Sequence, residues 1–368
     1  MAVLLLSDWK PVPLRRAVEV RRPEGRGNPG PVWAPVLLTV TIACVVIGPG
    51  CRRNEPVRAA RSREIMGTLA TVTAVARDLR TASAAVEAGY SRLEDVNRLM
   101  SDYVDDSEIG RLNRFAGGPP LPVSAETYEC VRRAVEFGRL TGGAFDLTCR
   151  PLIELWRKAA ARGRLPTDPE LAGARSRVGW DRVRLDTEAR AIALPQAGMQ
   201  IDLGGIAKGY ALDLAAEAMR KAGAQAALVE VGGDVVAAGC SPEGRPWRVG
   251  VKHPFQTGLL LVLELSDRAV ATSGVQQRFF EIEGRRFSHI VDPRTGQPAR
   301  QAPSVTVIAQ DGITADAWAT ALSVLSVEEG RQLLAAGTAP GVEAMWVSGS
   351  SAEPIITRTP GFEAYVAP

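Results

Sequence analysis

Two oxygen-bearing side chains stand four residues apart in the segment TADAWATAL, residues 314–322. In an α-helix, Asp316 and Thr320 therefore share one face, which brings a carboxylate and a hydroxyl side by side. Both are hard oxygen donors of the kind that Mg²⁺ takes while keeping other positions for water and phosphate. The same residues also suit a helix start without a metal, because Thr314 can cap it, Asp316 can complement its dipole and Thr320 can bond back to a carbonyl. The spacing alone leaves both interpretations open.

A second candidate stretch is IDLGGIAKGYALD, residues 201–213, in which a predicted strand ends at Asp202 and a helix follows two glycines. The free N–H groups at a helix start can hold an anion, and Lys208 lies in the first turn of this helix. The Gly204-Gly205 pair lets a ligand or a metal ion approach the main chain directly. The stretch contains neither a P-loop nor a G-x-G-x-x-G fingerprint. An ordinary strand-to-helix turn explains the same residues.

Three further stretches carry weaker signals. The glycine-rich GGAFDLTCRPL, residues 142–152, offers main chain against which a flat ligand could lie, although a helix C-cap explains its glycines equally well. Tyr103, in the polar stretch MSDYVDDSEIGRLN, could stack on an aromatic base. His289, one of two histidines in the chain, ends a predicted strand, RFSHIV, beside a turn at 292–296, and this position suits a general base near neutral pH. A hydrogen bond to a neighbouring carbonyl is the structural alternative for that histidine.

The elements that must position these residues are helices interleaved with strands. Apolar spacing predicts helices over 80–100, 124–140, 206–222, 313–325 and 327–336, with Ser124 opening the second. A polar surface segment is predicted between the first two helices, and a hairpin for VRLDTEARAIAL. The remaining strands are predicted for GTLATVTAVA, AALVEV, DVVAAG, WRVGV, LLLVLEL, AVAT, RFFEIEG, RFSHIV and SVTVIA. Because several of these strands form hairpins, the pattern predicts an α+β fold rather than a doubly wound parallel sheet.

Residues 1–62 are predicted to be a disordered leader with a signal segment and a linker, and residues 63–368 to be the folded domain. The stretch 31–53 has no charge before Arg52, and its apolar run 36–47 has the length of a signal h-region and is short for a spanning helix. Small residues before Cys51 resemble an imperfect lipoprotein cleavage box. We therefore expect export, a lipid on Cys51 and a membrane-associated periplasmic location. A retained membrane anchor is the alternative.

Composition narrows the function classes. The chain has 368 residues, 46% of them hydrophobic and 23% charged, which is typical of a soluble globular protein with a substantial core. The net charge is +3, and much of the positive excess comes from arginines near the N-terminus, so no nucleic-acid partner is expected. Beyond the leader, Cys130, Cys149 and Cys240 have no metal-ligand spacing and are predicted to be small core residues.

Taken together, these stretches resemble the ApbE family of FAD:protein FMN transferases. The matching motifs run in order from about residue 64 to residue 325. They are Met66-Gly67-Thr68, Met100-Ser101-x-Tyr103, Ser107-Glu108, Arg111-Leu112-Asn113, Gly143-Ala144-Phe145-Asp146, Asp202-Leu203-Gly204-Gly205-Ile206-Ala207-Lys208-Gly209-Tyr210, Val231-Gly232-Gly233-Asp234, Ala271-Thr272-Ser273-Gly274, His289-Ile290-x-Asp292-Pro293-x-Thr295-Gly296 and Ala315-Asp316-Ala317-x-Ala319-Thr320-Ala321.

The resemblance implies a T-fold-like α+β architecture of mixed sheets with packed helices, which takes FAD as substrate and Mg²⁺ as cofactor. The implied metal ligands are the main-chain carbonyl of Gly205, where many members have alanine, together with Asp316 and Thr320. His289 is the implied catalytic base. The implied FAD contacts are Met66, Tyr103, Ala144, Phe145, Asp146, Asp202, Lys208 and Ile290.

The implied reaction transfers FMN from FAD to a threonine or serine hydroxyl of an acceptor protein and releases AMP. The implied acceptors are subunits of exported or membrane redox complexes. Two alternatives would use the same residues. One is an FAD pyrophosphatase that yields FMN and AMP, and the other is a flavin-binding lipoprotein without turnover.

Overall fold

The computed structural model describes residues 3–5, 55–102, 104, 106–274, 279–299 and 304–368. Tyr103 and the predicted signal segment with Cys51 lie outside these residues. Within them the α-helices are α1 (Leu79–Met100), α2 (Glu108–Arg114), α3 (Ala125–Leu140), α4 (Arg150–Arg162), α5 (Asp168–Arg175), α6 (Ala207–Lys221), α7 (Gly312–Val324) and α8 (Val327–Ala335). Single 3₁₀ turns cover Trp180–Arg182 and Phe362–Tyr365.

The strands of the described residues are, in chain order, β1 (Val3–Leu5), β2 (Val57–Ile65), β3 (Thr68–Ala76), β4 (Leu121–Pro122), β5 (Arg184–Asp186), β6 (Ala191–Ala193), β7 (Ala226–Val231), β8 (Asp234–Ala238), β9 (Trp247–Lys252), β10 (Leu259–Leu265), β11 (Arg268–Gly274), β12 (Phe279–Ile282), β13 (Arg285–Ser288), β14 (Ser304–Ala309), β15 (Glu343–Gly349) and β16 (Pro354–Arg358).

The main sheet has the strand order β16-β15-β14-β11-β8-β7-β3-β2, and each neighbouring pair is antiparallel. The central strands β7 and β14 are buried along their whole length, because both faces of the sheet are covered. Helices α1, α6 and α7 pack on one face. On the other face a second cluster includes Trp247, Leu263 and Phe362. The prediction of an α+β fold is confirmed.

Local sequence explains how the sheet begins. Strands β2 and β3 are joined at Met66 and Gly67, whose φ angles are 53° and 69°. Two consecutive positive φ angles are those of a type I′ hairpin turn, which matches the twist of the flanking strands. Strand β2 starts at Val57 and pairs with β3 from Val57 to Ile65, so the sheet takes up residues that were predicted to be linker.

Of the two helix caps considered from the sequence, one is confirmed and one is wrong. Ser124 caps α3 as predicted, and its hydroxyl accepts a hydrogen bond from the Thr127 N–H. Thr314, proposed above as the structural cap of the next-to-last helix, is not the cap. Asp311 caps α7, because its carboxylate accepts from the Thr314 N–H at 2.9 Å.

Several sequence expectations were wrong in detail. The segment between α1 and α3 is not only polar surface, because it contains α2, which is capped by Ser107 and buries Ile109 and Leu112. Helix α5 and the strands β15 and β16 were not predicted. Cys240 is exposed rather than buried in a core, whereas the other two cysteines are buried as predicted.

Among the helices of the described residues, none has the length and apolarity needed to cross a bilayer.

Candidate active site

Helices α6 and α7 meet at two glycines. A Cβ added to Gly209 would lie 2.1 Å from the carbonyl oxygen of Gly312, and a Cβ added to Gly312 would lie 2.5 Å from the carbonyl oxygen of Gly209. Any larger residue at either position would therefore force the two backbones apart. This close approach brings the side chains of the first turns of both helices together.

Asp316 lies in this crossing and is only 3% exposed. Its Oδ2 accepts a hydrogen bond from the Gly209 N–H at 3.0 Å, and its Oδ1 accepts one from Lys208 Nζ at 3.2 Å. Burial raises the pKa of the Asp316 carboxyl, while the ammonium of Lys208 opposes that rise. The carboxylate of Asp316 in α7 is thus hydrogen-bonded to the backbone and to a side chain of α6.

Lys208 connects the helices to the sheet, because its ammonium also contacts the carboxylate of Asp234 at the start of β8. Asp234 in turn accepts a hydrogen bond from the Thr272 N–H in β11 at 3.1 Å. Burial opposes the charged form of Lys208, but Asp234 and Asp316 outweigh it and raise the pKa of the lysine. At neutral pH this lysine is therefore a fixed positive charge beside the start of α6.

Thr320 lies one turn further along α7 and faces the loop before α6. Its Oγ1 is 3.4 Å from the carbonyl oxygen of Gly205. A Cβ added to Gly205 would come within 2.9 Å of that hydroxyl, so an alanine here would require the Thr320 side chain to shift. Thr320 thus lies against the Gly205 carbonyl, and Asp316 lies one turn before it on α7 beside Lys208. We call Gly205, Lys208, Asp316 and Thr320 the corner.

Asp202 and Asp146 hold the loops around this corner. Asp202 accepts from the Gly204 N–H at 2.7 Å, and its own N–H donates to the Leu147 carbonyl at 2.8 Å. Both oxygens of Asp146 are engaged, with the N–H and hydroxyl of Thr148 on one and the Trp180 N–H on the other. Burial raises the pKa of the Asp146 carboxyl. Its hydrogen bonds hold the glycine-rich loop against the segment at Trp180.

As whole residues, Ala144 and Phe145 are 1% and 3% exposed. Both belong to the main core, and the Phe145 N–H donates to the Thr141 hydroxyl at 3.0 Å. Ala144 and Phe145 therefore expose almost no surface to solvent, backbone included. Met66 occupies the positive-φ turn between β2 and β3 and packs partly on the same core.

His289 directly follows β13, which ends at Ser288 rather than continuing through residue 291 as predicted. The histidine is half-buried. Its neighbour Ile290 packs on the main core, and the Ile290 N–H donates to Ser288 Oγ at 2.9 Å. The following turn is fixed by Asp292, which accepts hydrogen bonds from the N–H and the guanidinium of Arg294. The predicted base therefore sits on a well-anchored loop.

The ApbE family model matches residues 66–346 of this chain. The chain belongs to the ApbE family. A Vibrio cholerae protein named FAD:protein FMN transferase is 33% identical over 307 residues, which cover 82% of this chain and 91% of the relative. A Treponema pallidum protein of the same name is 34% identical over 325 residues, which cover 83% and 89%.

Solved structures agree with this assignment. The flavin transferase ApbE from Vibrio cholerae has a TM-score of 0.73 at 29% identity, with 84% of this chain and 99% of that chain covered. The ApbE protein from Thermotoga maritima has a TM-score of 0.75 at 32% identity, with 85% and 100% covered. These matches confirm both the family resemblance and the fold expected from it.

Two residues that anchor Lys208 were not among the predicted site residues. Asp234 and Thr272 belong to the motifs VGGD and ATSG, which the sequence offered only as parts of the family match. Their role as the anchor of Lys208 depends on β8 pairing with β11, and such long-range pairing has no local signature. The two motifs themselves were the signal that could have found them.

Proposed function

We propose that the protein is a Mg²⁺-dependent transferase that moves FMN from FAD to a threonine or serine hydroxyl of an acceptor protein and releases AMP. The names of its relatives support flavin transfer. The observation that carries the finer proposal is the corner of α6 and α7, where Thr320 Oγ1 lies 3.4 Å from the Gly205 carbonyl oxygen. Asp316 stands one turn before that hydroxyl on the same helix.

The residues of this corner fit a Mg²⁺ ion. A carbonyl, a carboxylate and a hydroxyl are all hard oxygen donors. Each oxygen of Asp316 accepts one protein hydrogen bond and keeps a lone pair for a further partner. The described residues contain no group of three or more His, Cys, Asp or Glu side chains that could hold a metal. A cation held by one carboxylate and two neutral oxygens would therefore rely on phosphate oxygens of FAD for further ligands. Bound there, Mg²⁺ would neutralise charge on the diphosphate.

The protein's own groups would then bind and orient the reactants. The Lys208 ammonium, anchored by Asp234, offers a fixed positive charge to the diphosphate, and the start of α6 adds its dipole. The acceptor hydroxyl oxygen forms a bond to the phosphorus of the FMN half, and the bond from that phosphorus to the bridging oxygen breaks. The bridging oxygen leaves with AMP, and His289 takes the hydroxyl proton as the attack proceeds. Orientation and charge placement supply most of the barrier reduction.

Mixing the protein with FAD, MgCl₂ and an acceptor peptide tests this proposal. A matched peptide with valine in place of the acceptor threonine is the control. We expect AMP in equal amount to flavin attached to the threonine peptide, and no modified valine peptide. Free FMN with AMP and no modified peptide would instead make the protein an FAD pyrophosphatase. Unchanged FAD after long incubation would leave a flavin-binding protein without turnover.

We also propose that the protein is exported and anchored to the periplasmic face of a membrane by a lipid on Cys51. The support is the short apolar run 36–47 followed by small residues and Cys51. Mass spectrometry of the membrane-extracted protein should find a lipid-modified N-terminal Cys51, and Cys51→Ala should release the protein from the membrane fraction. A mature protein that keeps residues 1–50 would show a retained anchor instead.

A further inference from the structure

The crossing of α6 and α7 is built from the same short motif on both helices. Each helix carries a Gly-x-x-x-Asp segment near its start, Gly209 to Asp213 in α6 and Gly312 to Asp316 in α7. A spacing of four residues places the glycine and the aspartate on one helical face. The two glycines are the point of closest approach, because a Cβ on either would lie 2.5 Å or less from the backbone oxygen of the other.

The two aspartates bond across the crossing in opposite directions. Asp213 of α6 accepts from the Gly312 N–H at 2.6 Å and from the Ile313 N–H at 2.9 Å. Asp316 of α7 accepts from the Gly209 N–H at 3.0 Å. Each carboxylate therefore holds the glycine N–H of the opposite helix. We call these four residues, Gly209, Asp213, Gly312 and Asp316, the reciprocal latch.

Asp213 contributes more than a helix cap needs. The first N–H groups of a helix lack partners within it, and in α7 Asp311 already accepts from the Thr314 N–H. Asp213 accepts from the two N–H groups before that one, and it reaches them from a different helix. The hydrogen bonds to Asp213 therefore satisfy two N–H groups at the start of α7 and also fix the distance between α6 and α7.

The latch is symmetric in its bonds but not in its surroundings. Asp316 additionally contacts Lys208 and lies on the same helix as Thr320. Asp213 bonds to the Gly312 and Ile313 N–H groups at the start of α7, with longer-range attraction to Arg133 and repulsion from Asp311. Asp316 is thus one of the proposed metal ligands, whereas Asp213 holds the start of α7, the helix that carries Asp316 and Thr320.

We propose that Asp213 is a positioning residue, which sets the place of Asp316 and Thr320 through the reciprocal latch and so determines how tightly the site binds a divalent cation. This inference rests on the proposed metal site. Residues behind a metal ligand that fix its orientation typically change metal affinity on the order of 10-fold to 100-fold when they are replaced. Asp213 is expected to act with this magnitude without touching metal or flavin.

The first test replaces Asp213 with asparagine, which keeps the size of the side chain but turns an N–H₂ group toward a backbone N–H. Glu217→Gln is the matched control, because Glu217 lies one turn further along α6 and pairs with exposed Lys221. The full chain is titrated with Mn²⁺ alone, without FAD, and free Mn²⁺ is followed by electron paramagnetic resonance. We expect the Mn²⁺ Kd to rise at least 10-fold in Asp213→Asn and less than 2-fold in the control.

A second measurement keeps the test independent of the metal. Backbone amide exchange is compared in peptides covering 205–214 and 310–318. If the latch is reciprocal, Asp213→Asn loses protection in both peptides, because opening one side also frees the Gly209 N–H. Loss confined to 310–318, together with an unchanged Mn²⁺ Kd, would make Asp213 an ordinary helix cap and overturn the inference.

The glycines give a third arm if asparagine disturbs folding. Gly312→Ala places a methyl group against the Gly209 backbone, whereas Gly173→Ala in α5 meets nothing within 4 Å. We expect weaker Mn²⁺ binding only in Gly312→Ala, and equal binding in both would contradict the latch. Failure of the proposed function is distinguishable, since a protein with the predicted Mn²⁺ pattern but no acceptor modification would keep the latch and lose the transferase.

Discussion

Replacing Asp316 with asparagine separates the charge of the site from its shape. The amide oxygen can still accept from the Gly209 N–H, now bonded at 3.0 Å, so the helix crossing is kept. What disappears is the negative charge 3.2 Å from Lys208 Nζ. Asp316→Ala is a less informative change, because it leaves the Gly209 N–H without an acceptor in a buried place.

The expected magnitudes follow from these contacts. Breaking a buried ion pair costs about 3–5 kcal/mol when the remaining charge is left alone. Lys208 keeps Asp234 as a partner and is partly exposed, so we expect Asp316→Asn to lower the free energy of unfolding by only about 1–2 kcal/mol. Loss of the one carboxylate among the proposed metal ligands should slow transfer at least about 100-fold, which corresponds to about 2.7 kcal/mol of barrier.

Urea unfolding and initial rates of AMP release measure the two effects separately, with Glu217→Gln as the control on the surface of α6. The refuting result is specific. If Asp316→Asn folds normally, binds Mn²⁺ as tightly as the wild type and keeps more than a tenth of its transfer rate, this carboxylate is not a metal ligand. A loss of transfer explained entirely by unfolding would make it structural.

Three other outcomes are expected. Thr320→Val should raise the Mg²⁺ concentration for half-maximal transfer about 10-fold with little change in urea midpoint, and an unchanged Mg²⁺ dependence would remove the hydroxyl from the site. His289→Ala should lower the transfer rate far more than it weakens FAD binding followed by flavin fluorescence; equal effects would make the histidine a binding contact. Burial raises the pKa of Asp213 to about 7 from an ordinary 3.8, so its contribution to stability is complete below about pH 4 and is lost as the pH rises through 7. Because that side chain keeps some exposure, we expect wild type to lose about 1–2 kcal/mol relative to Asp213→Asn between pH 5.5 and pH 8.5, and parallel pH profiles would contradict this.

Much of the corner could be predicted because its signals are local. The i, i+4 spacing of Asp316 and Thr320 and the glycine pair at 204–205 depend only on nearby residues, and the helices that carry them begin within a residue of their predicted starts. Ser124 as a cap was equally local. Family resemblance then joined stretches that spacing alone left as ordinary turns and caps.

The parts that could not be predicted depend on distant contacts. Lys208 contacts Asp234 because the sheet brings β8, paired with β11, beside α6. Asp213 contacts Gly312 because two glycines let the helices approach closely. Nor does the sequence around Asp146 reveal that its carboxylate also accepts a hydrogen bond from the Trp180 N–H, 34 residues away. In each case the partner lies far along the chain or in a different element, where periodicity carries no information.

Crystals of the protein with FAD and Mn²⁺, measured for the anomalous signal of manganese, would test the central claim most directly. The account predicts one strong peak within about 2–2.5 Å of the Asp316 carboxylate, Thr320 Oγ and the Gly205 carbonyl oxygen, with the diphosphate of FAD completing the coordination. A manganese peak elsewhere, with FAD bound and these three oxygens free of metal, would contradict it.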